Sequence, residues 1–221
     1  MTAGKLSHDP REARYLNKPG FDSVADCLIL AGGLGRRMGG PKALLEVNGL
    51  SLLERQFQLL SPLFERTFVA LKDAALLEKI PTLPWDAIVT DPPGSRCLLD
   101  VIGNAIEKVG RPVFLAAVDL PLLSPSVVEQ ICSRHSDGNS VVPVDEGRPQ
   151  PLAAVWDPAA LEVLEPPDGD LALLAWVRRV NATLLKWPDD FHQHTEEEQS
   201  STDPFRNINT PEDLLGLESE D

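Results

Sequence analysis

Short, nearly continuous apolar runs alternate along this chain with longer stretches in which apolar residues recur every three or four positions. The first kind predicts strands at 24–30, 67–71, 86–90 and 112–118, the first reading as a buried central strand and the last being the most hydrophobic of them. The second kind predicts helices. One opens at Ser51, whose spacing to Glu54 fits a capping box, and runs to about residue 60 with Leu52, Leu53, Phe57 and Leu60 on one face. Another covers 94–109, with Leu98, Leu99, Ile102, Ile106 and Val109 apolar. A third runs to about residue 133 from Ser124, with Pro125 in its first turn. Shorter helices are expected at 74–79 with Asp73 as cap, at 158–164 and at 171–180, and a short strand at 183–186. Segments 140–144 and 151–156 are expected to pair as a hairpin through Glu146-Gly147, and Asn48-Gly49 marks another turn. Thr210 and Pro211 read as the cap and first position of a closing helix. Strand–helix alternation of this kind predicts a three-layer α/β domain with a mostly parallel sheet and a small hairpin insertion. Residues 1–20 read as a flexible extension and 21–217 as one domain.

Charge changes this picture little. The formal net charge is −14, but 189–221 hold eleven acids and one base, −10 in all, which leaves −4 for the other 188 residues. The acidity is thus mostly a tail property, and it argues against a nucleic-acid partner, which needs a basic face. No apolar run approaches the length of a membrane helix and the N-terminus has no apolar signal core, so a cytoplasmic protein is expected. Cys27, Cys97 and Cys132 have no metal-binding spacing and read as reduced thiols, Cys27 and Cys132 packing as small apolar groups. His8, His135, His192 and His194 form no catalytic spacing.

The chemistry concentrates where the first strand ends, at Leu30-Ala31-Gly32-Gly33-Leu34-Gly35-Arg36-Arg37-Met38-Gly39-Gly40-Pro41-Lys42. Glycines there let a ligand approach backbone N–H groups, and Arg36, Arg37 and Lys42 add positive charge, so the loop points to a polyphosphate. It is not a Walker A loop: counted from Gly35, Pro41 and Lys42 stand where lysine and a hydroxyl residue are required. It is not the dinucleotide fingerprint either, because Met38 replaces the third glycine. Ligands of such sheets bind at the carboxyl ends of the strands, which is where Asp91 and Asp119 also fall. Asp119 follows a buried strand, and a carboxylate there needs a cation or another partner; Mg²⁺, which takes one or two carboxylates plus phosphate oxygens, fits. Asn207 and Asn209 lie two apart and face the same side of an extended chain.

The pattern L-A-G-G-x-x-x-R-M-G-x-x-K, together with Val118-Asp119-Leu120-Pro121, Pro151-Leu152-Ala153-Ala154-Val155-Trp156 and Asn207-Ile208-Asn209-Thr210-Pro211-Glu212-Asp213-Leu214, resembles the nucleotidyltransferase family that includes molybdenum cofactor guanylyltransferase. The resemblance spans about 27–215. It implies a Rossmann-like nucleotidyltransferase domain that transfers GMP from GTP to molybdopterin cofactor and releases pyrophosphate. It implies nucleotide contacts from Leu30, Ala31, Gly32, Gly33, Lys42, Asp91 and Asp119. It further implies catalytic roles for Arg37, Lys42 and Asp119, a Mg²⁺ ligand in Asp119, and an acceptor pocket lined by Asn207 and Asn209. Transient molybdoenzyme or chaperone partners would follow from the lability of the product. Three features depart from the family. Pro41 precedes the lysine where an aspartate is common, in a loop one residue shorter, a form closer to the related cytidylyltransferase branch. Gly94-Ser95-Arg96-Cys97-Leu98-Leu99 replaces a G-P-L-A-G segment, and Lys72 stands where the second strand would end in asparagine. A cytidylyltransferase or sugar-phosphate nucleotidyltransferase of the same fold, and a non-catalytic nucleotide-binding module, are the alternatives.

Overall fold

A computed structural model describes residues 23–32, 40–72, 78–80, 82–165, 169–192, 203–210 and 212–214. Four parallel strands form its frame: β1 (Asp26–Leu30), followed after a small hairpin of β2 (Glu46–Val47) and β3 (Leu50–Ser51) by β4 (Arg66–Leu71), β5 (Ala87–Thr90) and β6 (Val113–Ala117). Beyond them come β7 (Ser140–Asp145), β8 (Arg148–Pro149), β9 (Ala153–Trp156) and β10 (Ala182–Lys186), and the sheet order is β10-β7-β9-β6-β1-β4-β5 with β8 on β7. The helices are α1 (Leu52–Leu60), α2 (Leu98–Val109), α3 (Pro125–Ser133) and α4 (Leu173–Arg179), with 3₁₀ turns at Lys42–Leu44 and Pro158–Val163.

Strand periodicity divides the core. On β1, Cys27 and Ile29 face one side with Leu53 and Phe57 of α1 and Val128 and Ile131 of α3. Leu28 and Leu30 face the other with Ile102 and Ile106 of α2 and Trp176 of α4. Both sheet faces are therefore covered, which is why β1 and β6 are apolar without alternation. Cys27 and Cys132 are buried in the first of these layers, and burial, with Cys27 adding to it, pushes the Cys132 thiol well up.

The helix starts follow their signals. Ser51 and Glu54 form the reciprocal capping box that opens α1, and the Ser124 hydroxyl accepts the Val127 N–H at the start of α3. The second long helix begins at Leu98 rather than at residue 94, because Pro92 to Ser95 make a turn, with the Ser95 N–H donating to the Pro92 carbonyl. The expected helix 74–79 lies largely outside the described residues, and 158–164 forms a 3₁₀ turn. No helix among the described residues is long and apolar enough to cross a membrane.

The hairpin expectation is corrected in part. Glu146 and Gly147, both with positive φ, do make a tight turn, but it joins β7 to the two-residue β8. The segment expected to be its second arm, β9, is inserted between β6 and β7 and runs antiparallel to both. All four of its residues are buried, so it belongs in the interior of the sheet and not at an edge. Trp156 stacks on Trp176 at 4.2 Å between ring centroids, deep in the core.

Candidate functional site

Parallel pairing brings the carboxyl ends of β5, β4, β1 and β6 to one edge. Leu30 is level with Ala70 on one side and Ala117 on the other, so the residues that follow each strand meet at a common rim. The ladder continues one step past β1: Ala31 donates to the Ala70 carbonyl at 2.9 Å and Val118 to the Leu30 carbonyl at 3.0 Å. Beyond that step the chains diverge and leave a cavity of about 400 Å³. Gly32, Lys72, Asp91 and Asp119 line it from the four strand ends, Lys42 from the 3₁₀ turn, and Arg96, Cys97 and Leu98 from the start of α2.

The tightest polar cluster lies at its β6 side. Lys42 Nζ donates to Asp119 Oδ2 at 2.6 Å and to Asn209 Oδ1 at 2.8 Å. The side chains of Lys42 and Asp119 are each only 17% exposed, so the ammonium and carboxylate are screened less than a surface pair. Backbone contacts fix the partners. Ile208 donates its N–H to the Asp119 carbonyl at 3.0 Å, and this places Asn209 beside Lys42. Asn209 is held in turn by Asp213, whose carboxylate accepts the N–H groups of Asn209 and Thr210 at 2.9 Å each while the Thr210 hydroxyl accepts the Asp213 N–H. Those bonds from Asn209 and Thr210 hold the Asp213 carboxyl below the usual carboxylate range.

Asp91 lies at the opposite end of the cavity, where its N–H continues the ladder to the Leu71 carbonyl at 3.1 Å. Arg96 stands near it, paired with Asp100 through its backbone N–H at 2.7 Å and its guanidinium. The Arg96 side chain and backbone bonds hold the Asp100 carboxyl below its usual range. Asn207 does not join Asn209 at Lys42. It lines a neighbouring cavity of about 200 Å³ with Gln150, Leu173 and Leu174, and Leu152 belongs to both cavities. Of the residues singled out from sequence, Leu30, Gly32, Lys42, Asp91 and Asp119 line the main cavity, and Ala31 lies buried beneath its rim. Gly33 and Arg37 lie outside the described residues. Val101, which also lines the cavity, carried no sequence signal; Lys72, Arg96 and Cys97 were visible only within departures from the family pattern.

His135 has a plain structural explanation: its ring nitrogens lie 2.9 Å from the Ser23 hydroxyl and 3.1 Å from the Asp157 carboxylate, away from the cavity. For a metal the relevant group is Asp119. Among the described residues no three metal-binding side chains cluster, so a divalent ion at Asp119 would have at most two protein carboxylates and would complete its shell with phosphate and water oxygens. That donor set fits Mg²⁺ and not a cation that requires an all-protein cage.

A mostly parallel sheet with helices on both faces and a cavity at its strand ends, lined by a lysine–aspartate pair, defines an α/β domain of the Rossmann-like class. Residues 27–184 match the family model described as the MobA-like NTP transferase domain, and the chain belongs to that family of nucleotidyltransferases. A probable molybdenum cofactor guanylyltransferase of Chloroflexus aggregans is 32% identical over 196 residues, covering 85% of this chain and 90% of its own. A molybdenum cofactor guanylyltransferase of Rhizobium meliloti is 29% identical over 220 residues, covering 91% and 94%. The crystal structure of molybdopterin-guanine dinucleotide biosynthesis protein A from Archaeoglobus fulgidus superposes with a TM-score of 0.72 at 25% identity, covering 88% of this chain and 97% of that one.

Proposed function

We propose that this protein transfers GMP from GTP to molybdopterin cofactor, with release of pyrophosphate. The observation that carries the reading is Lys42, held between Asp119 and Asn209 at the strand-end cavity, in a chain whose relatives are named for this reaction. Both substrates are anionic, so much of the barrier is repulsion between them, and a fixed cation lowers it most. In this reading the Lys42 ammonium neutralises triphosphate oxygens and the charge that develops on departing pyrophosphate. Asp119 would hold Mg²⁺, which supplies charge neutralisation of phosphate oxygens. Asn209 orients Lys42, and the Asn207 cavity, which shares Leu152 as a lining residue with the main one, receives the acceptor.

Gly32 supports a phosphate loop. A Cβ built there would meet Lys72 only at ordinary contact distances, 3.5 Å from its N and 3.6 Å from its Cβ. Internal packing therefore does not require a glycine at this position, whereas close approach of a ligand to the backbone does. The acceptor is an ionised phosphate, so its oxygen attacks the α-phosphorus with little deprotonation to perform, and positioning dominates.

The test is pyrophosphate release from GTP in the presence of molybdopterin cofactor and Mg²⁺, with CTP in parallel. GTP-dependent release by the wild type, lost in Asp119→Ala, is the expected result. Release with CTP in place of GTP would assign the protein to the cytidylyltransferase reading that Pro41-Lys42 favours. Nucleotide binding without release would indicate a binding module.

A further inference from the structure

Gln56 lies on the buried face of α1 and is 2% exposed. Its Nε2 donates to the Leu120 carbonyl at 2.6 Å. Only the NH₂ end of an amide can face a carbonyl oxygen so closely, which assigns the orientation. The other end, Oε1, is buried and has no hydrogen-bond partner among the described residues. An orphaned acceptor in a core costs stability, and an apolar side chain of the same length would fill the space without one. Nor does Leu120 depend on this bond, because its carbonyl also accepts the Leu123 N–H at 3.3 Å within its own turn. Neither packing nor satisfaction of the backbone accounts for an amide here.

The bond does join two halves of the candidate site. Helix α1 is attached closely to the segment that carries Lys42: Leu52 donates to the Leu45 carbonyl at 2.8 Å, and Leu45 donates to the Lys42 carbonyl at 3.1 Å. Leu120 is the neighbour of Asp119. The Gln56 bond therefore closes a ring that runs from Lys42 through Leu45 and α1 to Leu120 and Asp119, and back through the 2.6 Å ion pair. On its other side the same turn is held by Ile208 on the Asp119 carbonyl. Between them, the two bonds restrain successive carbonyls of one short loop.

We infer that Gln56 is a positioning residue, which sets the Lys42–Asp119 separation by tethering the Asp119–Leu120 turn to the helix attached to Lys42. The inference rests on the proposed role of that pair. The variant that isolates it is Gln56→Met in the full chain, which keeps length and volume and removes both the donor and the orphaned acceptor. A merely structural glutamine predicts a lowered melting temperature with kcat unchanged by this substitution. A positioning role predicts a melting temperature at or above wild type, KM for GTP unchanged, and kcat lowered by about ten- to a hundredfold, the scale of a small misplacement of reacting groups. Amide exchange of the 119–123 turn should become several-fold faster. In Gln56→Glu only the protonated carboxyl can donate to Leu120, so the ratio of variant to wild-type kcat should fall as pH rises. A folded Gln56→Met with wild-type kcat overturns the inference, as does a pH-independent ratio of one for Gln56→Glu. Should the wild type release no pyrophosphate, the proposed function fails and the exchange measurement decides alone: faster exchange upholds the tether and unchanged exchange overturns it.

Discussion

Lys42 holds Asp119 and Asn209 at once, and in the proposed reaction its contribution would be electrostatic. Lys42→Ala should therefore lower kcat for pyrophosphate release by roughly 10²–10³, as loss of one pre-placed charge-stabilising donor does, with a smaller change in KM for GTP. Equal loss in Arg and Ala variants would point to exact geometry, and partial rescue by Lys42→Arg to charge alone. Lys42 and Asp119 were both legible as residues because each stands next to an unmistakable apolar strand or glycine loop. Lys72, Arg96 and Cys97 stood out less, since what makes them neighbours is strand register and the angle of α2, which their own sequence surroundings do not encode. Glu146 departs from its own conformational preferences, with φ 45° at the first central position of the β7–β8 turn. Asparagine tolerates that conformation better, so Glu146→Asn should stabilise the protein by about 0.5–1 kcal/mol and raise its melting temperature by a few degrees in calorimetry.

Among the elements, the three central strands are held together at their amino ends, opposite the cavity. Asp26, fully buried at the start of β1, accepts two hydrogen bonds from Arg66 at the start of β4 and two from Arg111 just before β6. Burial pushes the Asp26 carboxyl up, but the bonds from Arg111 and Arg66 and their charges together outweigh it, and the group sits below its ordinary range. A carboxyl lowered in the folded state stabilises the fold above its unfolded pKa of about 3.9 and loses that contribution as pH falls through the folded value. Asp26→Ala should cost about 2–3 kcal/mol at neutral pH, somewhat less than a fully enclosed pair because both guanidiniums keep contact with solvent. In urea melts the gap between variant and wild type should be constant above about pH 5 and close on acidification below it. A gap that does not narrow at all on acidification would exclude the ion-pair explanation. At the start of α1, Ser51→Ala removes half of the capping box and should cost about 1 kcal/mol in the same experiment.

For the whole molecule the prediction is thermodynamic linkage. A ligand present at a hundred times its dissociation constant adds about 2.7 kcal/mol to the folded state. For a chain of this size that corresponds to a melting shift of several degrees. GTP with Mg²⁺ should produce it, GTP alone less, and CTP, ATP and UTP little; a larger shift with CTP would reverse the base assignment. The shift should be lost in Asp119→Ala only for its Mg²⁺-dependent part. Such a measurement reads the four strand ends together, because the cavity exists only where they meet.

By itself the sequence determined the strands that are apolar throughout, the helices with serine caps, the turns at Asn48-Gly49 and Glu146-Gly147, and the division into three layers. Each of these depends on residues within one or two turns of chain, where periodicity and capping act. Only the tertiary structure decided that β9 enters the sheet between β6 and β7, since an apolar run of four residues can pair with any strand of matching burial. It also decided that Lys42 meets Asp119 and Asn209, partners 77 and 167 positions away. Contacts of that span depend on which strands lie side by side and in what register, and the hydrophobic pattern that builds each strand is indifferent to its neighbour.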